Sequence, residues 1–308
     1  MTDYRIEPLE DATFEELAPL MLDAFGDSVD RRYFDWKYRE NPAGPARGNI
    51  ARADNGDIAA FYGMIPEICA FDGATRSVFQ SCDTMTHSAH RRKGLFQRLA
   101  LQTYADAERN DDRFFVYGYG GAASTPGFLK MGWRIEQQLP YLARPAFLSW
   151  LGPSQAVREL DKPDAEFELL FKASQPNHPS VLRSSEYLGW RSANPQRRYC
   201  FLAADRSFAM FARAAKLLFL VDFWEQDHAS GRPVIQSLAW IARRENTKGI
   251  LTLGTRSSAF YRSLLRHLFV RNPFPSGPAS GSIPFISYGP QPFPPDEWSV
   301  GPIDHDSY

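Results

Sequence analysis

Arg91, Arg92, Lys93 and Gly94 stand together in a short basic turn. Before it, from residue 81, the chain alternates as a strand does, and after it a helical pattern continues to about Asn110. A helix start leaves several backbone N–H groups without intrahelical partners, and the aligned peptide dipoles place about half a positive charge there. Such a turn is suited to hold an anion. Three consecutive cations add attraction at long range, and Gly94 lets the backbone approach a ligand with no Cβ in the way. A diphosphate fits this chemistry.

Two widespread phosphate cradles are missing: there is no Gly, four residues, then Gly-Lys-Ser/Thr, and no fingerprint of three spaced glycines. The segment instead resembles motif A of the GNAT superfamily of acyl-CoA-dependent N-acyltransferases. In that motif an Arg/Gln-x-x-Gly-x-Gly/Ala turn follows the fourth strand, and its amides bind the CoA pyrophosphate. Here the pattern falls on Arg91, Gly94 and Phe96. Phe96 departs from the small final residue, which leaves the backbone donors available and changes the packing beside the pyrophosphate. The resemblance implies acetyl-CoA or another acyl-CoA as co-substrate, bound by Met85, Thr86, His87, Arg91, Arg92, Lys93, Gly94, Leu95 and Phe96.

The elements that must position this turn follow in order. Residues 4–9 read as a first strand, and Asp11 or Thr13 can cap a helix to about Phe25, with Glu15 and Glu16 in its first turn. Residues 33–42 read as a short aromatic helix stopped by Pro42. Asn55-Gly56 marks a hairpin between residues 49–52 and 57–67. A second hairpin turn, at Asp72-Gly73, sends residues 75–86 into the basic turn. Beyond the helix come a brief apolar strand at 114–118, a glycine-rich loop at 119–125, and a short helix at 126–133 capped by Gly132 before a further strand. This order is also the GNAT order, and the superfamily's motif B ends in a Gly-Phe-like pair matched by Gly132-Trp133.

GNAT chemistry is direct attack of an amine on the thioester carbonyl, so the protein orients two substrates and removes a proton. The resemblance implies a gap between the fourth and fifth strands for the pantetheine arm, with Met85, Thr86 and His87 on one side and Phe115, Val116 and Tyr117 on the other. Asp83 is the first choice of proton acceptor: alternation sets it on one face with Met85 and His87, and a charge within a paired strand needs a reason. A solvated face is its alternative. His87 is the second choice, with a plain surface position as its alternative, and His90 fits a neighbour of the phosphate loop. Four residues before the motif B glycine, many members carry a Tyr that protonates the departing thiolate. That position is Phe128 here, so the general-acid role does not carry over; Tyr117, Tyr119 and Ser124 are the candidate donors and the assignment stays open. Cys82 alternates opposite Asp83 and reads as a small buried hydrophobe. The first two helices line the acceptor side in this fold, which offers Tyr33, Trp36, Lys37 and Tyr38 as a platform for a sugar or nucleotide.

Residues 187–195 repeat the aromatic-Trp-basic-Asn-Pro pattern of residues 33–42, which equally suits a structural role for Trp36 and Trp190, anchoring a helix to the sheet. Strand-like residues 199–203, 208–213 and 217–224 follow, then helix-like 232–246, strand-like 249–253 and a helix near 258–268, with no Arg/Gln-x-x-Gly cradle after Trp224. The expected fold is α/β, of the α+β kind with mixed sheets. Two tandem GNAT-like domains are expected, each a mostly antiparallel mixed sheet flanked by helices: residues 1–150 catalytic, residues 151–308 degenerate and without CoA binding. Tandem chains with this Trp-basic-x-x-x-Asn-Pro signature and a terminal acidic pair, here Asp304 and Asp306, resemble bacterial acyltransferases of surface-polysaccharide biosynthesis. The Pro-rich stretch 273–302 is too rigid for a helix and is expected to wrap the domain as extended chain.

The chain has 308 residues, 44% apolar and 23% charged, the composition of a globular protein with a sizeable core. A net charge of −1 gives no general reason to bind nucleic acid or an anionic membrane, which counts against amide transfer from an aminoacyl-tRNA. Cys69, Cys82 and Cys200 are widely separated, with neither CxxC spacing nor a His cluster to make a metal site. The first residues carry no apolar signal segment, and no run of about 18 apolar residues exists, so a reducing cytoplasm is the expected compartment. The expected function is acyl transfer from acyl-CoA to an amino group of a small polar acceptor, such as a nucleotide-linked amino sugar, with a homodimer as the candidate assembly. A non-catalytic acyl-CoA- or sugar-binding scaffold is the alternative.

Overall fold

The computed structural model describes residues 4–109, 113–148, 152–272, 281–294 and 297–305, so Asp306 lies outside the described residues. The chain opens with β1 (Arg5–Pro8), α1 (Phe14–Phe25) and α2 (Arg31–Phe34), and α2 runs directly into a π turn at Asp35–Arg39. Three antiparallel strands follow, β2 (Arg47–Arg52), β3 (Ile58–Phe71) and β4 (Ala74–Thr86), then α3 (Leu95–Glu108), β5 (Val116–Tyr119), α4 (Thr125–Lys130) and β6 (Arg134–Pro145). β7 (Arg158–Leu160), α5 (Ala165–Ala173), β8 (Ser180–Val181) and α6 (Ser185–Ser192) lead to a second set of the same kind. It comprises β9 (Tyr199–Ala204), β10 (Ser207–Ala214), β11 (Leu217–Glu225), α7 (His228–Arg244), β12 (Gly249–Leu253), α8 (Ala259–Arg266) and β13 (Val270–Arg271). The last strand is β14 (Ser282–Tyr288).

Local chemistry accounts for these elements. Phe14, Leu17, Leu20 and Met21 recur at helical spacing and bury one face of α1, which stops at Gly26 in the left-handed conformation. Asp72 and Gly73 both take positive φ, 48° and 74°, as a two-residue hairpin turn demands, and this turn sets the register of β3 against β4. β5 lies parallel to β4 and β12 parallel to β11, each pair joined by a crossover helix, α3 or α7.

The strands form one sheet in the order β1-β2-β3-β4-β5-β14-β6-β12-β11-β10-β9-β7, with β8 added to β3 and β13 to β6. β14 therefore sits between β5 and β6, far from its sequence neighbours. Residues 134–140 of β6 pair with β14, whereas residues 141–145 pair with β12. Each half of the molecule thus receives a strand from the other, and the boundary at residue 150 is crossed in both directions. The Pro-rich stretch expected to wrap the surface instead supplies this central strand, although residues 273–280 and 295–296 lie outside the described residues. Pro284 is accommodated beside a bulge between Phe285 and Ile286, and its carbonyl accepts from the Gly120 amide at 2.8 Å.

Three apolar clusters hold the sheet. One is common to both halves and includes Phe14, Trp36, Phe61, Trp190, Phe208 and Trp298. The other two are separate: Leu95, Leu99, Tyr104 and Phe128 of α3 and α4 pack on the first half, and Val234, Leu238, Ile241 and Leu264 of α7 and α8 on the second. Cys69, Cys82 and Cys200 are buried, and none forms a disulfide. Among the described residues no helix is long and apolar enough to cross a membrane.

Candidate active site

β4 and β5 pair only at Phe79 with Val116 and Gln80 with Tyr117, and then part. The cause lies on β4. Its register against β3 passes from Gly63 with Cys82 to Phe61 with Met85, so Asp83 and Thr84 together oppose one residue, and Asp83 adopts φ 43°. The parting opens a cleft of about 980 Å³ with Ser81, Cys82, Asp83 and Thr84 on one wall and residues 118–124 on the other. The gap was expected between Met85–Thr86–His87 and Phe115–Val116–Tyr117. It lies further along β5 because Val116 and Tyr117 are consumed by pairing to β4.

Asp83 is the charged centre of this cleft. Its Oδ2 accepts from Lys37 Nζ at 2.5 Å and from the Tyr38 hydroxyl at 2.7 Å. The Lys37 side chain is 1% exposed and that of Asp83 10%. Lys37 also donates to the Tyr33 hydroxyl at 3.2 Å and lies 5.5 Å from that ring's centre. Burial, reinforced by the Asp83 charge, pushes the Tyr38 hydroxyl well above its usual range, so it remains a donor. Both donors come from the π turn. Between Trp190 and Asn194 there are three residues where Trp36 and Asn41 enclose four, and α6 is a regular helix. Residues 35–39 absorb the additional residue as the π turn.

The four aromatic and basic residues expected to meet an acceptor divide here. Tyr33 lines the cleft. Trp36, 1% exposed, does not: its ring stacks on Trp190 with centroids 5.3 Å apart, and each indole N–H donates to the other's carbonyl, at 2.6 and 2.8 Å. Lys37 and Tyr38 are buried and face Asp83, so neither offers a stacking surface or a phosphate ligand. Trp36 and Trp190 thus anchor the two halves to each other.

Tyr117 is likewise withdrawn. It is fully buried, donates to Glu67 and accepts from Gln80 at 2.9 Å, and it is absent from the cleft wall. Burial and the Glu67 charge raise its hydroxyl well above the usual range. Tyr119, Ser124 and Phe128 are in the wall, and the Tyr119 ring stacks on His305 at 4.0 Å. His87 is also outside the wall: its Nδ1 accepts from the Ala89 amide at 3.2 Å, capping the turn Ser88–His90, and its Nε2 lies 3.7 Å from Asp23. The cleft is completed by Asn194, Gln196 and Arg197 after α6 and by Ser282 and His305. Sequence reasoning did not assign these residues. The repeated Asn-Pro after Trp190 was the available signal, and only the strand exchange brings the others near.

The basic turn forms as expected. α3 starts at Gly94, φ 74°, with no side chain capping it and no acid in its first turn. A Cβ on Gly94 would meet nothing within 4 Å, so the space above this backbone is open. Arg91 Nε donates to the Thr86 carbonyl at 3.3 Å and Lys93 Nζ to the Tyr4 hydroxyl at 2.9 Å, which hold the loop, while Leu95 is buried. Met85 is buried and paired with Phe61, and Thr86 with Ala60. Phe96 occupies space left by Gly127, where a Cβ would lie 2.6 Å from its ring, and it meets Phe128 edge-on at 4.9 Å. The loss of a small residue at 96 is therefore offset by a small residue on α4.

Residues 5–135 match the family model described as the acetyltransferase (GNAT) domain. No curated protein matches the chain significantly. Among solved structures, the chain is similar to a conserved protein of unknown function from Enterococcus faecalis V583, described as a probable N-acyltransferase. The TM-score is 0.66 at 9% identity, covering 94% of this chain and 73% of that one. A GCN5-related N-acetyltransferase from Anabaena variabilis gives 0.64 at 12% identity, covering 92% and 72%. Saccharomyces cerevisiae N-myristoyltransferase with bound myristoyl-CoA gives 0.63 at 13% identity, covering 99% and 84%. These likenesses establish the fold: a mixed sheet flanked by helices, as expected from the sequence.

Proposed function

We propose that this chain, with the acetyltransferase domain matched over residues 5–135, moves an acyl group from acyl-CoA to an amino group of a small polar acceptor. The observation that carries this reading is the parting of β4 and β5 around Asp83, on the strand that leads into the uncapped start of α3. In this reading the amides and cations of the Arg91–Gly94 turn hold the CoA diphosphate. The facing backbones of residues 81–84 and 118–120 take the pantetheine amides. The amine attacks the thioester carbonyl, a C–N bond forms and the C–S bond breaks. Asp83 takes the proton shed by nitrogen, and the thiolate takes one from Tyr119, Ser124 or water.

Asn194, Gln196 and Arg197 supply polar groups at the acceptor end, and Tyr33 and Tyr119 supply rings. This lining suits a sugar- or nucleotide-linked amine. Support for acyl-CoA as donor comes from the myristoyl-CoA bound to the yeast neighbour. The second set of elements has the layout of the first, but α7 closes its own start: Asp227 caps it in a capping box with Ser230. That contrast supports a tandem arrangement in which one copy has lost the coenzyme.

A non-catalytic scaffold is the second reading, favoured by the two donors already on Asp83 and by Phe128. Release of free thiol from acetyl-CoA with a panel of polar amines, nucleotide-linked amino sugars included, decides between them. Turnover with at least one amine is expected; binding of acetyl-CoA without release for every amine leaves only the scaffold.

A further inference from the structure

We propose that Glu225, His228 and His267 form a binding site for one zinc-class divalent metal ion on the second set of elements. The sequence shows no His cluster, because the two histidines are separated by the whole of α7, β12 and α8. Folding brings them together. Glu225 ends β11, His228 is the first residue of α7 and His267 follows α8, and one ligand atom from each lies within 4.8 Å of the others.

Two of the three groups, Glu225 and His267, are held as ligands are. Glu225 Oε1 accepts from the Ser263 hydroxyl and from Arg266 Nη2 at 3.1 Å, which turns Oε2 toward the imidazoles. His267 Nε2 lies 2.5 Å from that Oε2, and the two imidazole rings are 4.4 Å apart. The His267 ring is set edge-on against Phe223, and its carbonyl accepts from Arg144 Nε at 3.1 Å. Glu225 and His267 side chains are 3% and 4% exposed while His228 is at the surface, so an ion has an entry path and an open coordination position.

Gly231 makes room for the Glu225 carboxylate. A Cβ there would lie 1.9 Å from Glu225 Oε2. Glycine within a helix costs about 1 kcal/mol relative to alanine, and here its absence of a side chain leaves the room in which the carboxylate sits. Two imidazoles and one carboxylate are a donor set for Zn²⁺ rather than for Mg²⁺ or Ca²⁺. Bound metal would tie the ends of β11, α7 and α8. None of these residues lines the cleft, so the inference does not rest on acyl transfer.

The test uses the full chain, stripped with a chelator and titrated with ZnCl₂ and with CoCl₂. Expected are one ion per chain by equilibrium dialysis, visible absorption of four-coordinate Co²⁺, and a thermal midpoint that rises with Zn²⁺. His228→Ala, at the surface, and Glu225→Gln each weaken binding by at least the roughly tenfold that loss of a supporting contact costs. His87→Ala and His178→Ala leave it unchanged. Absence of stoichiometric binding, or binding that survives both His228→Ala and Glu225→Gln, overturns the proposal and leaves Glu225 and His267 as an ion pair.

Discussion

Asp83 holds a left-handed backbone conformation that costs a residue with a Cβ about 1–2 kcal/mol. Two buried donors converge on its carboxylate, and a lysine 1% exposed is tolerable only beside such an anion. The two charges act as one unit. Asp83→Asn strands the ammonium, so we expect a loss of about 3 kcal/mol in urea unfolding together with loss of thiol release. Adding Lys37→Met restores most of the stability and none of the turnover. A double variant as active as the natural chain would remove Asp83 from the chemistry. The charge of Asp83 within a strand marked it in the sequence, but alternation did not place it: the bulge at Asp83 and Thr84 sets Cys82 opposite Gly63 and Met85 opposite Phe61, so Cys82 rather than Asp83 shares a face with Met85. The fate of Lys37 was not readable, because a lysine is buried by its partner and that partner stands far along the chain.

At the scale of elements, the starts of α3 and α7 are opposites. α3 begins uncapped under open space, while α7 is closed by Asp227 and overlaid by the Glu225 carboxylate at Gly231. Gly94→Ala puts a Cβ into that open space. We expect the KM for acetyl-CoA to rise about tenfold, while stability falls by only the about 1–2 kcal/mol of left-handed strain. An unchanged KM would mean that the turn does not hold the coenzyme. The strand, turn and helix around Gly94 were legible because alternation, a glycine and a helical period meet there within a few residues. β14 was hidden: Pro284 breaks its alternation, and its two partners, β5 and β6, are both distant in sequence. The π turn was legible only as a difference in spacing between the Trp-to-Asn intervals, which does not say whether helix or loop takes up the additional residue.

Across the whole molecule the halves are joined by a shared core, and the second half holds a buried charge cluster. Arg183 lies 3.3 Å from Asp304 and 3.6 Å from Asp222. The longer separation exceeds hydrogen-bond reach, and burial, only partly offset by Arg183, pushes the Asp222 carboxyl up to about 6. A carboxyl raised in the folded state stabilises it fully below the unfolded value of 3.8 and ceases to do so as pH rises through about 6. The difference is about 3 kcal/mol. Asp222→Asn lacks this slope, so its stability relative to the natural chain should improve by about that amount between about pH 4 and about pH 7.5. Equal differences in urea unfolding at the two pH values would show that Asp222 does not titrate in this window. The place of β14 has a further consequence. A ribosome releases the chain from its amino end, so β5 and β6 emerge long before the strand that must lie between them. The middle of the sheet is closed only after β7 to β13 have emerged. Until then both open strand borders are exposed to other nascent proteins, and chaperone binding is expected to fall on them.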